Sequence, residues 1–301
     1  MNINLKNKFT STMLLLVIIL GGFCLIKFQN LNAIYSIIPG ETHDYILERS
    51  DLYVEFEDLS QVGTDGRYND ISISSRSSFT VEVLDIDEEW GVDFEISNST
   101  HSTSDYLTND QFKYEFSNFI YYPIFESERI VEEFDIDKIK IGPEITHWFF
   151  IQPIEANWNF LDNFTTEDYY ANIPLNQYIE GSFQASLERF EGEIIFDYDI
   201  KGTYTNESDE SNIQFDHLFK FIWNETTGVL LGYRISSYLT GKYLGQNVYE
   251  EIYVICRISG YDMPNYKFIP GFIPGYTYVI TIGGIFTIAV LTSIFNKKRK
   301  N

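Results

Sequence analysis

Cysteine is scarce in this sequence, with only two residues in a chain of 301. Cys24 lies in an apolar stretch near the N-terminus, which leaves Cys256 alone in the rest of the chain. A single cysteine cannot form an intramolecular disulfide, so the sequence excludes a small scaffold held by disulfide bonds. We expect packing and strand pairing to stabilise the domain, with Cys256 as a small core residue.

Cations are also few, since 21 Lys and Arg accompany 44 Asp and Glu and give a formal net charge of -23. All the acidic residues, but only 13 of the cations, lie between residues 34 and 263, so this part has a net charge of -31. Such a field repels nucleic acid and favours cations or basic partners. We therefore expect no nucleic-acid partner, and a solvated acidic surface explains the charge more simply than a specific cation site.

Local catalytic motifs are missing as well. The sequence has no Gly-x-Ser-x-Gly turn, phosphate-binding glycine loop or dinucleotide fingerprint. Its four histidines are isolated, without the spacing of a metal site on one local element; they are His43, His101, His147 and His217. His217 alternates with aromatic residues and is expected in the core. We identify no catalytic, cofactor-binding or certain metal-binding residue, although an active site assembled across strands needs no local motif.

One acidic stretch resembles a calcium loop in composition. Ca²⁺ takes six to eight oxygen ligands, and Asp85, Asp87 and Glu89 supply carboxylates in the sequence DIDEEW. Trp90 stands where the turn of an EF-hand loop needs glycine, so that motif fails. These three residues remain weak candidates for bound Ca²⁺, and no other cofactor is expected.

Four asparagines stand in Asn-x-Ser/Thr sequences, which are acceptors for glycosylation in exported chains. They are Asn98, Asn163, Asn206 and Asn224. Chance alone predicts about three such sequences at this composition. We nevertheless expect at least one of the four to be glycosylated, because all lie in the part of the chain predicted to be exported.

Aromatic residues make up 17% of the chain, which is far too many for a disordered stalk. Alternating apolar and polar residues predict strands, and the clearest segments are 52–56, 71–83, 112–116, 183–187 and 194–204. Residues 213–258 predict a three-stranded antiparallel meander with turns at NETTG and TGKYLGQN. Residues 105–180 are less regular, with a short helix predicted near Thr165.

These patterns predict an all-β domain over residues 34–263, with roughly ten to thirteen strands. The expected architecture is an antiparallel meander that forms a large curved sheet, a half-barrel or a sandwich. Polar residues cluster in SNSTHSTSD, so a subdivision of the domain near 105–110 is left open as an alternative.

The C-terminal end predicts a membrane anchor. Residues 276–295, from Tyr276 to Phe295, carry no charge, and a helix of that length spans roughly the 30 Å of a bilayer core. Four cations follow, and the positive-inside rule places them in the cytoplasm as part of a tail over residues 296–301; they are Lys297, Lys298, Arg299 and Lys300. Residues 264–275 are rich in Pro and Gly and are expected to form a spacer.

The N-terminal residues 1–33 predict either a cleaved signal peptide or a signal anchor. The apolar run from Met13 to Ile26 reaches only about 21 Å as a helix, which favours a secretion signal over a permanent span. Cleavage after Ala33 is expected, although the site is weak. With either outcome, the acidic domain faces the outside of the cell membrane, in a protein anchored at one end or at both.

The C-terminal segment resembles the sorting segments of archaeal surface proteins of the PGF-CTERM kind. It has Pro270, Gly271 and Phe272, then the apolar stretch, then the terminal cations. A second Pro-Gly-Tyr at residues 274–276 is similar to tails on secreted proteins of Asgard archaea. The resemblance implies a cell-surface protein whose tail is cut by an archaeosortase and replaced by a lipid. It concerns anchoring alone, and the exported domain resembles no characterised family.

We expect a non-enzymatic surface protein that binds an unknown protein, glycan or lipid, or helps to build the cell envelope. One alternative is a carrier of lipid or another hydrophobic ligand, because a curved sheet of aromatic strands can enclose an apolar cavity. A glycan hydrolase is a further alternative, with paired carboxylates beside Trp148 or Trp158 as sugar platforms.

Overall fold

The computed structural model describes residues 37–87, 91–120, 130, 143–166 and 178–264. A sheet of ten antiparallel strands dominates this part of the chain, and a separate two-stranded sheet and two short helices accompany it. The described residues contain twelve strands, so the predicted all-β meander is confirmed.

The strands are β1 (Thr42–Phe56), β2 (Leu59–Gly63), β3 (Asp65–Tyr68), β4 (Ile71–Ser74), β5 (Ser77–Asp87), β6 (Gly91–Ser97), β7 (Ser102–Thr108), β8 (Ile179–Phe190), β9 (Glu193–Asn206), β10 (Ser211–Asn224), β11 (Leu230–Tyr243) and β12 (Gln246–Ile258). The helices are α1 (Asn109–Phe119) and α2 (Glu155–Asn163), and a 3-10 turn covers Glu207–Asp209. In the large sheet the order is β7, β6, β5, β1, β12, β11, β10, β9, β8, with β2 also paired to β1.

The first and last strands of this set pair with each other in the middle of the sheet. β1 lies antiparallel to β12, from Tyr45 opposite Ile258 to Phe56 opposite Val248. On its other side β1 pairs first with β5 and then with β2. Strands on both sides of residues 105–110 therefore belong to the same sheet.

The alternation of the sequence determines which face of the sheet is buried. In β10 every second residue from Ile213 to Trp223 is buried, because successive side chains point to opposite faces. We call the face that carries these residues, and on which the helices pack, the inner face. The outer face carries the residues between them.

Helix α1 replaces a predicted strand, so that part of the secondary-structure prediction is wrong. Phe112 and Phe116 are buried, whereas Tyr114 between them is 71% exposed. Residues four apart lie on one face in a helix as well as in a strand, so the two phenylalanines fit both periods. The side chain of Thr108 accepts a hydrogen bond from the Gln111 backbone N–H at 3.0 Å and caps the helix.

The helices and the segment 145–151 fill the inner face of the sheet with aromatic side chains. Phe116 of α1 contacts the rings of Phe196, Phe219 and Trp223. Phe149 packs in the same way against other strands of the sheet. This packing joins α1 and residues 145–151 to the sheet in one core.

Tight turns define the strand ends. The predicted continuous strand over 71–83 is two strands, β4 and β5, and Arg76 adopts a positive φ of 66° at the turn between them. Helix α2 ends at Asn163. A helix that starts near Thr165 would extend over residues 167–177, which lie outside the described part, so it stays a prediction.

Candidate functional site

The outer face of the central strands carries a cluster of aromatic and cationic side chains. Tyr53 and Tyr238 each contact the ring of Tyr249, edge to face, with centroids 5.5 and 5.4 Å apart. The guanidinium groups of Arg49 and Arg234 lie 4.1 and 4.8 Å from the ring centroid of Tyr253. We call these four tyrosines and two arginines the tyrosine patch.

Carboxylates next to the tyrosine patch accept hydrogen bonds from two of its hydroxyl groups. Tyr53 and Tyr249 donate hydrogen bonds to Glu55 and Glu251, the latter over 3.3 Å. Burial, followed by the charge of Glu251, raises the pKa of Tyr249 to about 12. The patch therefore presents phenol, guanidinium and carboxylate groups together on one face of the sheet, a mixture suited to binding.

The acidic candidates for calcium lie at a different part of the sheet. Asp85 and Asp87 stand at the end of β5, and Glu89 lies outside the described residues. Asp85 is directly opposite Asp93 of β6, and Glu82 is opposite Glu95. Among the residues that the structure describes, no three Asp, Glu, His or Cys side chains come together in a group able to hold a metal ion. Calcium binding stays a prediction.

The four glycosylation candidates all lie at the ends of strands or helices, where the chain turns. The side-chain amides of Asn98 and Asn206 donate hydrogen bonds to the Ser72 carbonyl and to Asp209. Asn163 is exposed at the end of α2, and the side-chain oxygen of Asn224 accepts hydrogen bonds from the turn that follows β10. All four asparagines thus lie in the described part of the chain, outside the buried core.

The aromatic strand face over 213–223 is part of the core. His217 on this face is fully buried and contacts the rings of Phe119 and Phe219. Burial lowers the pKa of His217 to about 3, although a hydrogen bond with the backbone of Phe119 opposes this effect. A histidine that stays neutral in the core is a structural residue at physiological pH.

The inner face also buries several polar side chains, and sequence analysis did not identify them. Ser50, Ser237 and Glu250 are each at most 2% exposed. Ser237 lies opposite His217 of β10 and Ile252 of β12, and Glu250 is two residues before Ile252. The hydroxyl groups of Ser50 and Ser237 have no hydrogen-bond partner within the described structure. A serine in an alternating strand gives no sequence signal for such a position.

A second polar cluster lies where α1 meets residues 144–148. His147 Nε2 lies 2.5 Å from Glu115 Oε2, and the indole N–H of Trp148 donates to the same oxygen at 3.2 Å. Burial raises the pKa of Glu115, but the hydrogen bond and charge of His147 outweigh it and leave this pKa below its usual range. Tyr68 donates a hydrogen bond to Asp105 nearby. The contacts of Glu115 join α1 to His147 and Trp148, which follow it in the chain.

The two tryptophans proposed as sugar platforms are core residues. Trp148 is 5% exposed and Trp158 is 2% exposed, and the ring of Trp148 packs on Phe112 and Phe221. Neither indole presents a face to solvent, so the observed arrangement does not favour the glycan hydrolase.

The predicted anchor and sorting residues lie outside the described part of the chain. They are Pro270, Gly271 and Phe272, the stretch from Tyr276 to Phe295, and Lys297, Lys298, Arg299 and Lys300. Within the residues that are described, no helix is both long enough and apolar enough to span a bilayer.

No family model, curated protein or solved structure matches this chain.

Proposed function

We propose that the protein is anchored in a cell membrane and that its acidic β domain binds a partner outside the cell without catalysing a reaction. The apolar stretch 276–295 and the four cations after it support the anchor and its orientation. The likeness of the tail to archaeal sorting segments supports a place at the cell surface. The proposed partner is a protein or glycan of the cell envelope.

The main support for a binding function is the tyrosine patch. Tyrosine and arginine are enriched at the centres of interfaces, where they supply large contact areas and directed hydrogen bonds. In this chain they gather on a solvent-facing sheet surface, where Tyr238 leaves 37% of its surface exposed. Stabilisation of the sheet by cross-strand pairs explains the contacts between aromatic rings. It does not explain why two guanidinium groups, those of Arg49 and Arg234, contact the single ring of Tyr253.

Two measurements test this proposal. Protease added to intact cells is expected to digest the β domain, and membrane fractionation is expected to retain the undigested chain in the membrane. For binding, the full chain reconstituted in vesicles is titrated with isolated cell envelopes. We expect the double variant Tyr249→Ala and Tyr253→Ala to bind at least roughly tenfold more weakly than the unchanged protein.

The matched control is Tyr114→Ala, which removes an exposed tyrosine from α1 and is expected to leave binding unchanged. If the double variant bound as tightly as the unchanged protein, the tyrosine patch would not be the binding surface. If protease digested the β domain only in broken cells, the domain would not lie outside the cell.

A carrier of hydrophobic ligands is the second candidate, and the buried serines of the inner face favour it. A ligand site is mostly apolar with a few polar groups placed for orientation, which describes the surroundings of Ser237. Helix α1 already occupies the inner face from His217 to Trp223, so this function concerns only the rest of that face.

A further inference from the structure

We infer that the carboxylate of Glu251, together with the tyrosine rings around it, is a binding site for a lysine side chain of a partner protein. The inference rests on the proposed binding function of the tyrosine patch and gives the partner of that patch a chemistry. It favours a protein with exposed lysines over a neutral glycan.

Glu251 lies at the centre of the tyrosine patch. On β12 it stands two residues after Tyr249 and two residues before Tyr253, so all three side chains point to the outer face. On the neighbouring strands it lies directly opposite Tyr238 of β11 and Tyr53 of β1. Opposite residues have Cβ atoms about 4.5–5.5 Å apart. Four tyrosines therefore surround one carboxylate, and that carboxylate is exposed.

An ammonium group fits this arrangement because it interacts with both kinds of neighbour. It donates hydrogen bonds, which a carboxylate accepts, and its charge is attracted to the faces of aromatic rings. One oxygen of Glu251 accepts the hydrogen bond from the Tyr249 hydroxyl at 3.3 Å. Since a carboxylate has about four acceptor positions, the contact with Tyr249 is compatible with a further donor.

The chain's own cations contact a ring at one end of the patch. The guanidinium groups of Arg49 and Arg234 lie 4.1 and 4.8 Å from the ring centroid of Tyr253. Both arginines are opposite Ile255, which is four residues beyond Glu251 on β12. Four residues of a strand span about 13 Å, so the backbone of Glu251 is well separated from that of the arginines.

The other end of the patch is acidic. Glu55 lies directly opposite Tyr249, and it accepts a hydrogen bond from Tyr53. Glu55 and Glu251 thus place two carboxylates beside these rings, while Lys242, the next cation along β11, is four residues from Tyr238. The β domain as a whole has a net charge of -31, which attracts basic partners. Local and overall charge therefore favour a cationic group at this end.

Two peptides of equal charge test the inference. The full chain is reconstituted in vesicles of phosphatidylcholine, which has no net charge, and is titrated by calorimetry with a peptide of alternating glycine and lysine. Salt at about 0.15 M limits non-specific attraction. In the second peptide trimethyllysine replaces lysine, which keeps the charge but removes every N–H donor of the side chain. The unchanged protein is expected to bind the lysine peptide at least about threefold more tightly, because only lysine donates hydrogen bonds to Glu251.

Variants at the centre of the patch locate the site. Glu251→Gln is expected to lose the preference for lysine and to stay folded, because the side chain is exposed. The matched control is Glu180→Gln, which removes one negative charge from an exposed position on β8 and is expected to retain the preference. Tyr238→Ala is expected to weaken the binding of both peptides, because the attraction of a cation to a ring needs no donor, whereas Tyr114→Ala is expected to weaken neither.

If both peptides bind the unchanged protein equally, or if Glu251→Gln retains the preference, Glu251 is not a lysine site. Isolated cell envelopes distinguish this failure from a failure of the proposed function. Acetylation of envelope lysines is expected to abolish binding to the unchanged protein, and periodate oxidation of envelope glycans is expected to leave it intact. With the reverse result, the inference fails while the binding function stands. If untreated envelopes do not bind, the binding function fails and the inference fails with it.

Discussion

His217 is kept neutral by its surroundings on the inner face of the sheet. Burial among Phe119 and Phe219 lowers its pKa to about 3, from an ordinary value near 6.5. Between these two values the unfolded chain binds a proton that the folded protein does not. The stability contributed by neutral His217 is therefore complete above pH 6.5 and is lost as the pH falls toward 3.

We predict that His217→Gln flattens the acid side of the stability profile. When the unfolded chain binds one proton more than the folded protein, the free energy of unfolding falls by at most about 1.4 kcal/mol for each pH unit of acidification. Glutamine does not titrate, so the variant loses this contribution. Urea unfolding at pH 7 and pH 5, followed by tryptophan fluorescence, measures the difference between the two proteins. The exposed His101→Gln is the control, and an unchanged slope in His217→Gln would contradict the burial argument.

Gly228 lies where the turn after β10 meets another segment of backbone. Its φ is +71°, and a Cβ atom at this position would lie 1.7 Å from the carbonyl oxygen of Ile151. The Gly228 carbonyl in turn accepts a hydrogen bond from the Ile151 N–H at 2.9 Å. No side chain fits there unless the two segments separate.

We predict that Gly228→Ala lowers the free energy of unfolding by more than about 3 kcal/mol, because it adds backbone strain and a clash. Gly192 is a matched control, since its φ is +84° but no atom lies within 4 Å of a Cβ there. Gly192→Ala is expected to cost only about 1–2 kcal/mol, the strain of a left-handed alanine. If urea unfolding showed the same loss of free energy for both variants, the close contact with the Ile151 carbonyl would make no contribution.

At the scale of elements, the helical period of α1 determines which of its side chains are buried and contribute to stability. Phe116→Ala is expected to cost about 3–5 kcal/mol, because it empties the centre of an aromatic cluster. Tyr114→Ala is expected to stay within about 0.5 kcal/mol of the unchanged protein, since Tyr114 is 71% exposed. In a half-buried strand, residues 112, 114 and 116 would face the same side, so similar losses for both variants would favour that alternative.

The strands from β8 to β12 could be predicted because they carry their signals locally. Each alternates over many residues, as in β10, and short turns such as NETTG separate the last three. Hairpin neighbours need no long-range information, because a short turn pairs consecutive strands.

The rest of the fold depends on contacts that no short window contains. The pairing of Tyr45 with Ile258 joins residues more than 200 positions apart. Helix α1 was missed because Phe112 and Phe116 fit both periods and only the Thr108 cap favours the helix. The tyrosine patch was missed for a similar reason, since β1, β11 and β12 supply it together.

At the scale of the whole molecule, charges are distributed unevenly over the outer face. On β9 and β10, cations pair with carboxylates, as in Lys220 with Asp197 at 2.8 Å and Lys201 with Asp216 at 3.0 Å. On β5 and β6, acids instead lie opposite acids, with Asp85 facing Asp93. Like charges therefore oppose the pairing of β5 with β6.

We predict that Asp93→Asn stabilises the protein by about 0.2–1 kcal/mol at low salt, because it removes one of two opposed charges. The gain is expected to shrink as salt rises, since the screening length falls from about 30 Å at 0.01 M to about 3 Å at 1 M. Asp58→Asn, in the exposed turn after β1, changes the net charge equally without relieving such a pair. Urea unfolding of both variants at the two salt concentrations separates local repulsion from net charge. If both variants gained the same amount, only the overall charge would matter, and the opposed pair on β5 and β6 would carry no cost of its own.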